Sequence, residues 1–486
     1  MKFIKRWTIR AIAAALLIVG TLVIGGALDA RRRHPDLKPW HLMVPNDLTA
    51  SEMSDTFEFS RLLARENEAF ATVDAVEAAV APEDRTPVNR FVVGSRAHYS
   101  QAGQNWNRTF ELQPDVMSGG ALLIHGLTDS PYSMKAVAET LRQQGYYALA
   151  LRMPGHGTVP AGLTTVDWQD WLAAVRVGAR RVRQQIGPDK PLVIVGYSNG
   201  GALAVKYALE ALDRPQDPRP TSLVLMSPMI GVTPAAGLAW WISRLGFIPY
   251  FEKAKWLDVI PEYNPFKYNS FPANAGFQTS AITRSLVASL VRLGEAGRLK
   301  ELPPMLTFQS IVDATVSTTA VLRTLYDRLP ANGSTLVLFD VNHRSGIDVF
   351  LRAEDRSHVA RLFDREARPF RRVLITNSSA ATNDVISRTV DAGQLAIVDS
   401  ALGLSWPTDV YSLTHIALPF TPDDMLYGTD GEPAAAGLVR LGRLSPRGER
   451  SVLTVSTETL MRLSSNPFFP YIADTLRTWV AASPRR

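Results

Sequence analysis

A serine set between glycines, Gly196-Tyr197-Ser198-Asn199-Gly200, follows the apolar run Leu192-Val193-Ile194-Val195 and opens the helix-like stretch Gly201-Ala202-Leu203-Ala204-Val205. A strand, a sharp turn and a helix in that order hold a nucleophile out at the carboxyl end of the strand. Glycines are needed there because the turn forces an unfavourable backbone angle on the serine and presses strand against helix, leaving no room for β-carbons two residues away. The pentapeptide alone recurs by chance; the strand before it and the helix after it make it specific. That helix points unsatisfied N–H groups at the reacting centre, so the N–H of Asn199 is a candidate oxyanion donor. A second donor belongs in the loop after an earlier strand, and Leu122-Leu123-Ile124-His125-Gly126-Leu127-Thr128 offers the N–H of Leu127. His125 precedes the nucleophile and sits within that loop, which suits shaping the turn better than acting as a base. His156, in Pro154-Gly155-His156-Gly157, is read in the same way as ordering its loop.

An acid to orient a catalytic histidine is expected after Ser198 at a strand end. The run Met305-Leu306-Thr307-Phe308-Gln309-Ser310-Ile311-Val312-Asp313 meets that description, with a turn following. Asp313 as a plain helix N-cap is the bland alternative, but Thr315 or Ser317 would serve that purpose better.

Taken in chain order, His125-Gly126, Pro154-Gly155-His156-Gly157, the Ser198 elbow and Val312-Asp313 resemble the monoacylglycerol lipase and serine aminopeptidase branch of the α/β-hydrolases, over roughly residues 119 to 345. The resemblance implies an α/β-hydrolase fold, a Ser, Asp, His order, a cap inserted after the sixth strand, and hydrolysis of esters or, less often, peptide bonds. It does not choose the substrate. Two histidines compete for the base. His343 lies thirty residues past Asp313, just after the strand-like Thr335–Phe339, where the family places its histidine. Its neighbour Arg344 would oppose an imidazolium, and Asp340 and Asn342 make the stretch look like an exposed loop. His415 ends the strand-like run Val410-Tyr411-Ser412-Leu413-Thr414 and is followed by Ile416-Ala417-Leu418-Pro419-Phe420, an apolar setting that excludes water. His415 is the preferred base and His343 the alternative; the former makes residues 344–408 an insertion, itself containing the apolar run Arg372–Thr376. The histidines His34, His41, His98 and His358 lie in no motif and read as surface or packing residues.

The expected chemistry is two-step acyl transfer. Ser198 attacks a carbonyl as His415 takes its proton, Asp313 holds the imidazole, the N–H groups of Leu127 and Asn199 stabilise the oxyanion, and water releases the acid. No metal or organic cofactor is required. An acyltransferase would use the same acyl-enzyme, and a catalytically silent lipid-binding or partner-binding protein is the reading from another class. The silent reading predicts decay of the elbow or the acid, and both are intact.

The elements that must position these groups are short apolar strands alternating with amphipathic helices, the pattern of a mostly parallel sheet with crossovers. Strands are expected at Ala121–Ile124, Tyr147–Leu151, Leu192–Val195, Ser222–Leu225, Met305–Gln309 and Thr335–Phe339. Helices are expected at Ser133–Gln144, Trp168–Gln185, Gly200–Leu212 and Ser317–Leu329. Residues 230–300 are rich in aromatics, Trp240, Trp241, Phe247, Tyr250 and Trp256 among them. A cap there would favour a hydrophobic acyl-ester substrate, unless the aromatics merely pack. The hydrolase domain is expected over 116–486, closed by a strand at Ser451–Val455 and a helix at Tyr471–Ala482.

The formal charge of the 486 residues is +6, and the first 33 account for all of it, with seven basic side chains against Asp29. A neutral body with no basic stripe argues against nucleic acid, and the absence of cysteine excludes disulfides and thiolate chemistry. Ala11–Leu28 is an uncharged run of 18 residues, about 27 Å as a helix, near the thickness of a bilayer core. The expectation for residues 1–33 is therefore a transmembrane helix acting as an uncleaved signal-anchor in contact with membrane lipid, with the catalytic domain on the exported side. A cleaved signal peptide is the rival, with Ala30 before the cut, but Leu28, Asp29 and Arg31–Arg33 suit it poorly. Residues 34–115 read as a polar, partly helical lead-in, with helical spacing over Ser60–Val80.

Overall fold

Runs that are apolar at every position cannot leave either face in water, so they assemble into the middle of one sheet covered on both sides. The computed structural model describes residues 2–231, 245–346, 350, 366–430, 437–445 and 452–482. Its strands in chain order are β1 (Phe110–Leu112), β2 (Gly119–Ile124), β3 (Tyr146–Leu151), β4 (Leu192–Tyr197), β5 (Ser222–Met226), β6 (Trp256–Asp258), β7 (Phe271–Pro272), β8 (Met305–Ser310), β9 (Thr335–Phe339), β10 (Arg371–Asn377), β11 (Asp384–Val390) and β12 (Val398–Ser405). Ten of them form a sheet in the order β1-β3-β2-β4-β5-β8-β9-β10-β11-β12, and β6 pairs with β7. From β3 to β10 every pairing is parallel. The antiparallel pairs lie at the margins, β1 with β3 and the meander β10-β11-β12. The residues between 344 and 408 thus widen the catalytic sheet, with β10 in register beside β9.

Helices Trp168–Ile186 and Asn199–Glu210 cover one face of the sheet, and Lys135–Gln143 and Phe469–Ala481 the other. The first of these begins with a reciprocal cap between Asp167 and Asp170. The expected helix at Ser317–Leu329 is broken: Thr318–Thr324 is helical, Leu325 departs to φ −110°, and a single 3₁₀ turn Tyr326–Arg328 follows. The expected strand at Ser451–Val455 does not form among the described residues 452–455, where Val452 and Leu453 lie exposed without a neighbouring strand to pair with. The strand-like run before His415 is likewise irregular. Its single β-bridge joins Ser412 to Val341, and Asn342 takes the carbonyl of Tyr411 through its own N–H and that of Val410 through its side-chain amide. Turns bury Leu413, Ala417, Leu418 and Phe420 of that segment and leave Tyr411 exposed.

The lead-in is part of the folded body. Helix Phe59–Ala78 buries Leu62, Phe70, Val73 and Val76, and Leu48, Met53, Phe57 and Leu62 join the core under the sheet. Asp47 grips the buried Arg152 guanidinium through two bonds of 2.7 and 2.9 Å and accepts from the Gly155 N–H at 2.8 Å, while Glu66 holds the same arginine from the other side. Asp47 is held below its ordinary pKa: burial opposes the charge, but Arg152 and the backbone donors outweigh it. The lead-in also touches the cap, through His41 to Ser270 and Asn107 to the Pro265 carbonyl.

Residues Lys2–Arg33 form one continuous helix. The expected membrane span is not found: among the described residues no helix is long and apolar enough to cross a membrane. The end of this helix rests on the cap, where Arg31 lies over the Tyr250 ring and donates to the Tyr250 carbonyl.

Candidate active site

Ser198 stands between β4 and helix Asn199–Glu210 with φ 55° and ψ −117°, a conformation L-residues avoid unless the surroundings impose it. Here the Ser198 N–H is tied to the Met226 carbonyl and its carbonyl receives the N–H groups of Gly201 and Met229. A β-carbon on Gly196 would strike the Gly200 backbone, and one on Gly200 would strike the Ile124 and His125 carbonyls. Both glycines are therefore required by the close approach of β2, β4 and the helix. The loop after β2 turns at Thr128, φ 65°, and lays Gly126 against Ser198. The N–H of Leu127 in this loop donates to no protein acceptor among the described residues, and that of Asn199, at the first helical position, has no intrahelical partner. Both are open to an oxyanion.

Asp313 follows β8, and its side chain is buried. One carboxylate oxygen accepts the N–H groups of Thr315 and Val316 at 2.8 and 2.9 Å; the other accepts from His415 Nδ1 at 2.9 Å and Gln309 Nε2 at 3.2 Å. Burial pushes its pKa up, but the histidine and the backbone donors pull it further down, so the group stays ionised. The N-cap role falls to Ser317, whose side chain accepts from Ala320.

The structure brings His415 to Asp313 and leaves His343 elsewhere. His415 is buried, its ring 5.4 Å from that of Tyr197, whose hydroxyl donates to the His415 carbonyl at 3.3 Å. His343 lies in a 3₁₀ turn after β9, bonded to Asp340 at 3.1 Å, with its side chain 36% exposed. The insertion explains the difference: β10, β11 and β12 occupy the sheet edge beyond β9, and the chain returns over the carboxyl ends of the strands only after them.

His125 Nε2 accepts the Met153 N–H at 3.1 Å while Nδ1 bonds the Gly126 carbonyl at 2.8 Å, an arrangement that needs the neutral ring. Burial and the nearby His156 hold its pKa well below the ordinary value. His156 is pushed down to about 3 by burial and packs between His125 and Trp171. Both rings shape loops. His34, His41 and His98 bond the Trp256 carbonyl, Ser270 and Glu77 respectively, and His358 falls outside the described residues.

The cap aromatics divide. Trp256, Phe266 and Tyr268 are buried, Tyr268 accepting the Thr158 N–H and donating to the Gly155 carbonyl, whereas Phe247 is 78% exposed. Trp240 and Trp241 fall outside the described residues. Sequence reasoning passed over Asp129 and Lys267, which meet beside Ser198 across the boundary of core and cap. The acidic residue two places after the Leu127 donor was the available signal.

Residues 118–341 match the family described as serine aminopeptidase, S33. The chain is similar to a thermostable monoacylglycerol lipase of Bacillus sp. (strain H-257), 34% identical over 89 residues, which are 18% of this chain and 34% of that protein. It is also similar to phospholipase YtpA of Bacillus subtilis (strain 168), 26% identical over 112 residues, 23% of this chain and 40% of that one. The matches thus span well under half the length of these curated relatives. Among solved structures, a monoacylglycerol lipase from Paleococcus ferrophilus aligns over 48% of this chain and 89% of its own, at 17% identity and a TM-score of 0.35. With the parallel sheet and the elbow in place, residues 118–341 form an α/β-hydrolase domain of the monoacylglycerol lipase and serine aminopeptidase-like branch.

Proposed function

We propose that the protein is a serine esterase that cleaves hydrophobic, lipid-like carboxylic esters through an acyl-enzyme on Ser198. The observation that carries this reading is the 2.9 Å bond between His415 Nδ1 and Asp313, formed across 102 residues of chain. It orients the imidazole with Nε2 as the remaining proton acceptor. In the proposed reaction His415 removes the Ser198 proton as the hydroxyl oxygen attacks the ester carbonyl, and the N–H groups of Leu127 and Asn199 take the developing negative charge. The imidazolium, steadied by ionised Asp313, returns its proton to the leaving alcohol. Water then enters by the same route and frees the acid and Ser198. The ester class is supported by the names of the two curated relatives, a monoacylglycerol lipase and a phospholipase.

Labelling with a fluorophosphonate serine-hydrolase probe tests the reading. Ser198→Ala and His415→Ala should abolish labelling and His343→Ala should retain it. Labelling that survives Ser198→Ala, or that is lost in His343→Ala and kept in His415→Ala, overturns the assignment.

The same proposal includes attachment to a membrane through helix Lys2–Arg33, with the catalytic domain on the exported side. Its support is the uncharged run Ala11–Leu28 and the exposure of Ile12, Leu17, Ile18, Leu22 and Ile24 along it. Retention of the full chain in the membrane pellet at alkaline pH is expected; release into the supernatant rejects it.

A further inference from the structure

The segment that carries the proposed base returns to the sheet after β12 without forming a strand, so something other than a ladder must set its register. Ser412 makes one β-bridge with Val341, and beyond it the carbonyls around His415 turn to side chains. Among the described residues no backbone N–H reaches the carbonyl of Leu413 or of His415, and both residues are buried. A buried carbonyl needs a donor. Leu413 takes the Ser310 hydroxyl at 2.9 Å, and His415 the longer bond from the Tyr197 hydroxyl, at 3.3 Å. On the far side the Thr414 hydroxyl donates outward, to the Leu463 carbonyl.

Ser310 stands where this matters most. It is the last residue of β8, fully buried, on a strand paired in parallel with β5 on one side and β9 on the other. Three residues later the same chain presents Asp313. The Ser310 carbonyl accepts the Asp313 N–H at 3.3 Å and the Thr318 hydroxyl at 2.9 Å, which closes the turn holding the acid. Its hydroxyl points the other way, to the base's segment two residues before His415. One residue is thus bonded to the turn of the acid through its carbonyl and to the segment of the base through its side chain. The bond they make, His415 Nδ1 to Asp313 at 2.9 Å, weakens steeply if the two supports slip apart.

We propose that Ser310 is a positioning residue whose hydroxyl, by holding the Leu413 carbonyl, sets the His415 segment at the register in which its imidazole meets Asp313. This rests on the esterase reading above. Without the hydroxyl the Leu413 carbonyl is left buried and unpaired, and the segment must shift to find another donor. Ser310 touches neither the ester nor Ser198 in this role; it acts through the geometry of acid and base. A displacement of about 1 Å at such a site costs up to about 100-fold in rate.

The test measures kcat and KM for a soluble short-chain ester in full-length wild type, Ser310→Ala, Ser310→Cys, Asp313→Asn and the Ser310→Ala/Asp313→Asn double variant, with thermal unfolding of each. In Ser310→Ala kcat should fall about 10- to 100-fold while KM stays within about twofold of wild type and unfolding remains cooperative. Ser310→Cys fills the same space with a weak donor and should fall between the two. In the Asp313→Asn background the Ser310→Ala change should alter kcat by less than about threefold, because the bond it aligns is already gone. A folded Ser310→Ala protein within about threefold of wild-type kcat, a loss carried by KM, or an equal loss in both backgrounds overturns the assignment and leaves the esterase reading intact. Loss of cooperative unfolding in both Ser310 variants overturns it too, since the hydroxyl then serves the fold and not the register. Failure of wild type to hydrolyse the ester or to label with the fluorophosphonate probe removes the esterase reading, and this inference with it.

Discussion

Replacing Asp313 by Asn tests the proposed catalytic geometry at its most constrained point. The carboxylate oxygen facing Thr315 and Val316 accepts two backbone N–H groups at 2.8 and 2.9 Å. An asparagine must keep its carbonyl oxygen there, because turning its NH₂ toward those donors would set donor against donor at two short contacts. Its amide nitrogen is then forced to the position now 2.9 Å from His415 Nδ1. Nδ1 must become the acceptor, which moves the ring proton to Nε2 and removes the acceptor that Ser198 needs. The charge that steadies the imidazolium goes as well. Loss of both in a triad of this type costs about 10⁴-fold in turnover, or about 5.4 kcal/mol of transition-state stabilisation. The side chains are close in volume and the two backbone bonds persist, so unfolding should remain cooperative with Tm within a few degrees of wild type. Hydrolysis of a soluble short-chain ester at neutral pH, with fluorophosphonate labelling rate as a second readout, measures the effect. A folded Asp313→Asn protein retaining more than a tenth of wild-type kcat would refute the argument.

Asp47→Ala leaves the buried Arg152 guanidinium with Glu66 as its one remaining carboxylate, beside the His156 carbonyl, and should cost about 3–5 kcal/mol in denaturant unfolding, whereas a loss under about 1 kcal/mol would mean the lead-in is not part of the cooperative core. Gly200→Ala drives a β-carbon into backbone carbonyls that cannot yield, so labelling of Ser198 should vanish even in protein that is recovered soluble; a normally labelled variant counts against the elbow packing. His41 is pushed down to about 3 by burial and, after it, Lys38. Its unfolded form binds a proton first as pH falls below about 6.5, so its contribution is fully present above that pH and declines by about 1.4 kcal/mol per unit between there and about 3. Stability measured against pH in wild type and His41→Asn should show that excess slope only in wild type, and parallel curves would reject it.

Local pattern made much of this legible beforehand. Strands apolar at every position, such as β2, β3 and β4, announce burial on both faces without any partner being known, and the Ser198 elbow is readable because its glycines answer to contacts within a few residues. Boundaries were less clear where tertiary bonds override local preference. Leu325 breaks an otherwise periodic helix, and Val410–Phe420, strand-like in composition, is drawn into turns by Asn342 and by burial of Leu413 and Leu418.

The sequence by itself determined the central strands of the hydrolase body and the placement of Ser198 on a strained turn with the Asn199 N–H open beside it, since each depends on residues close in the chain; the Leu127 N–H is brought near only because β2 pairs with β4. Which histidine meets Asp313 was decided only by the tertiary structure. His343 has the right spacing, but β10, β11 and β12 displace the returning chain, and the partner comes from 102 residues away. The same holds for Asp47 with Arg152 and for Asp129 with Lys267. A charge's partner is a matter of distance in space and of lost water, and neither quantity is carried by spacing along the chain.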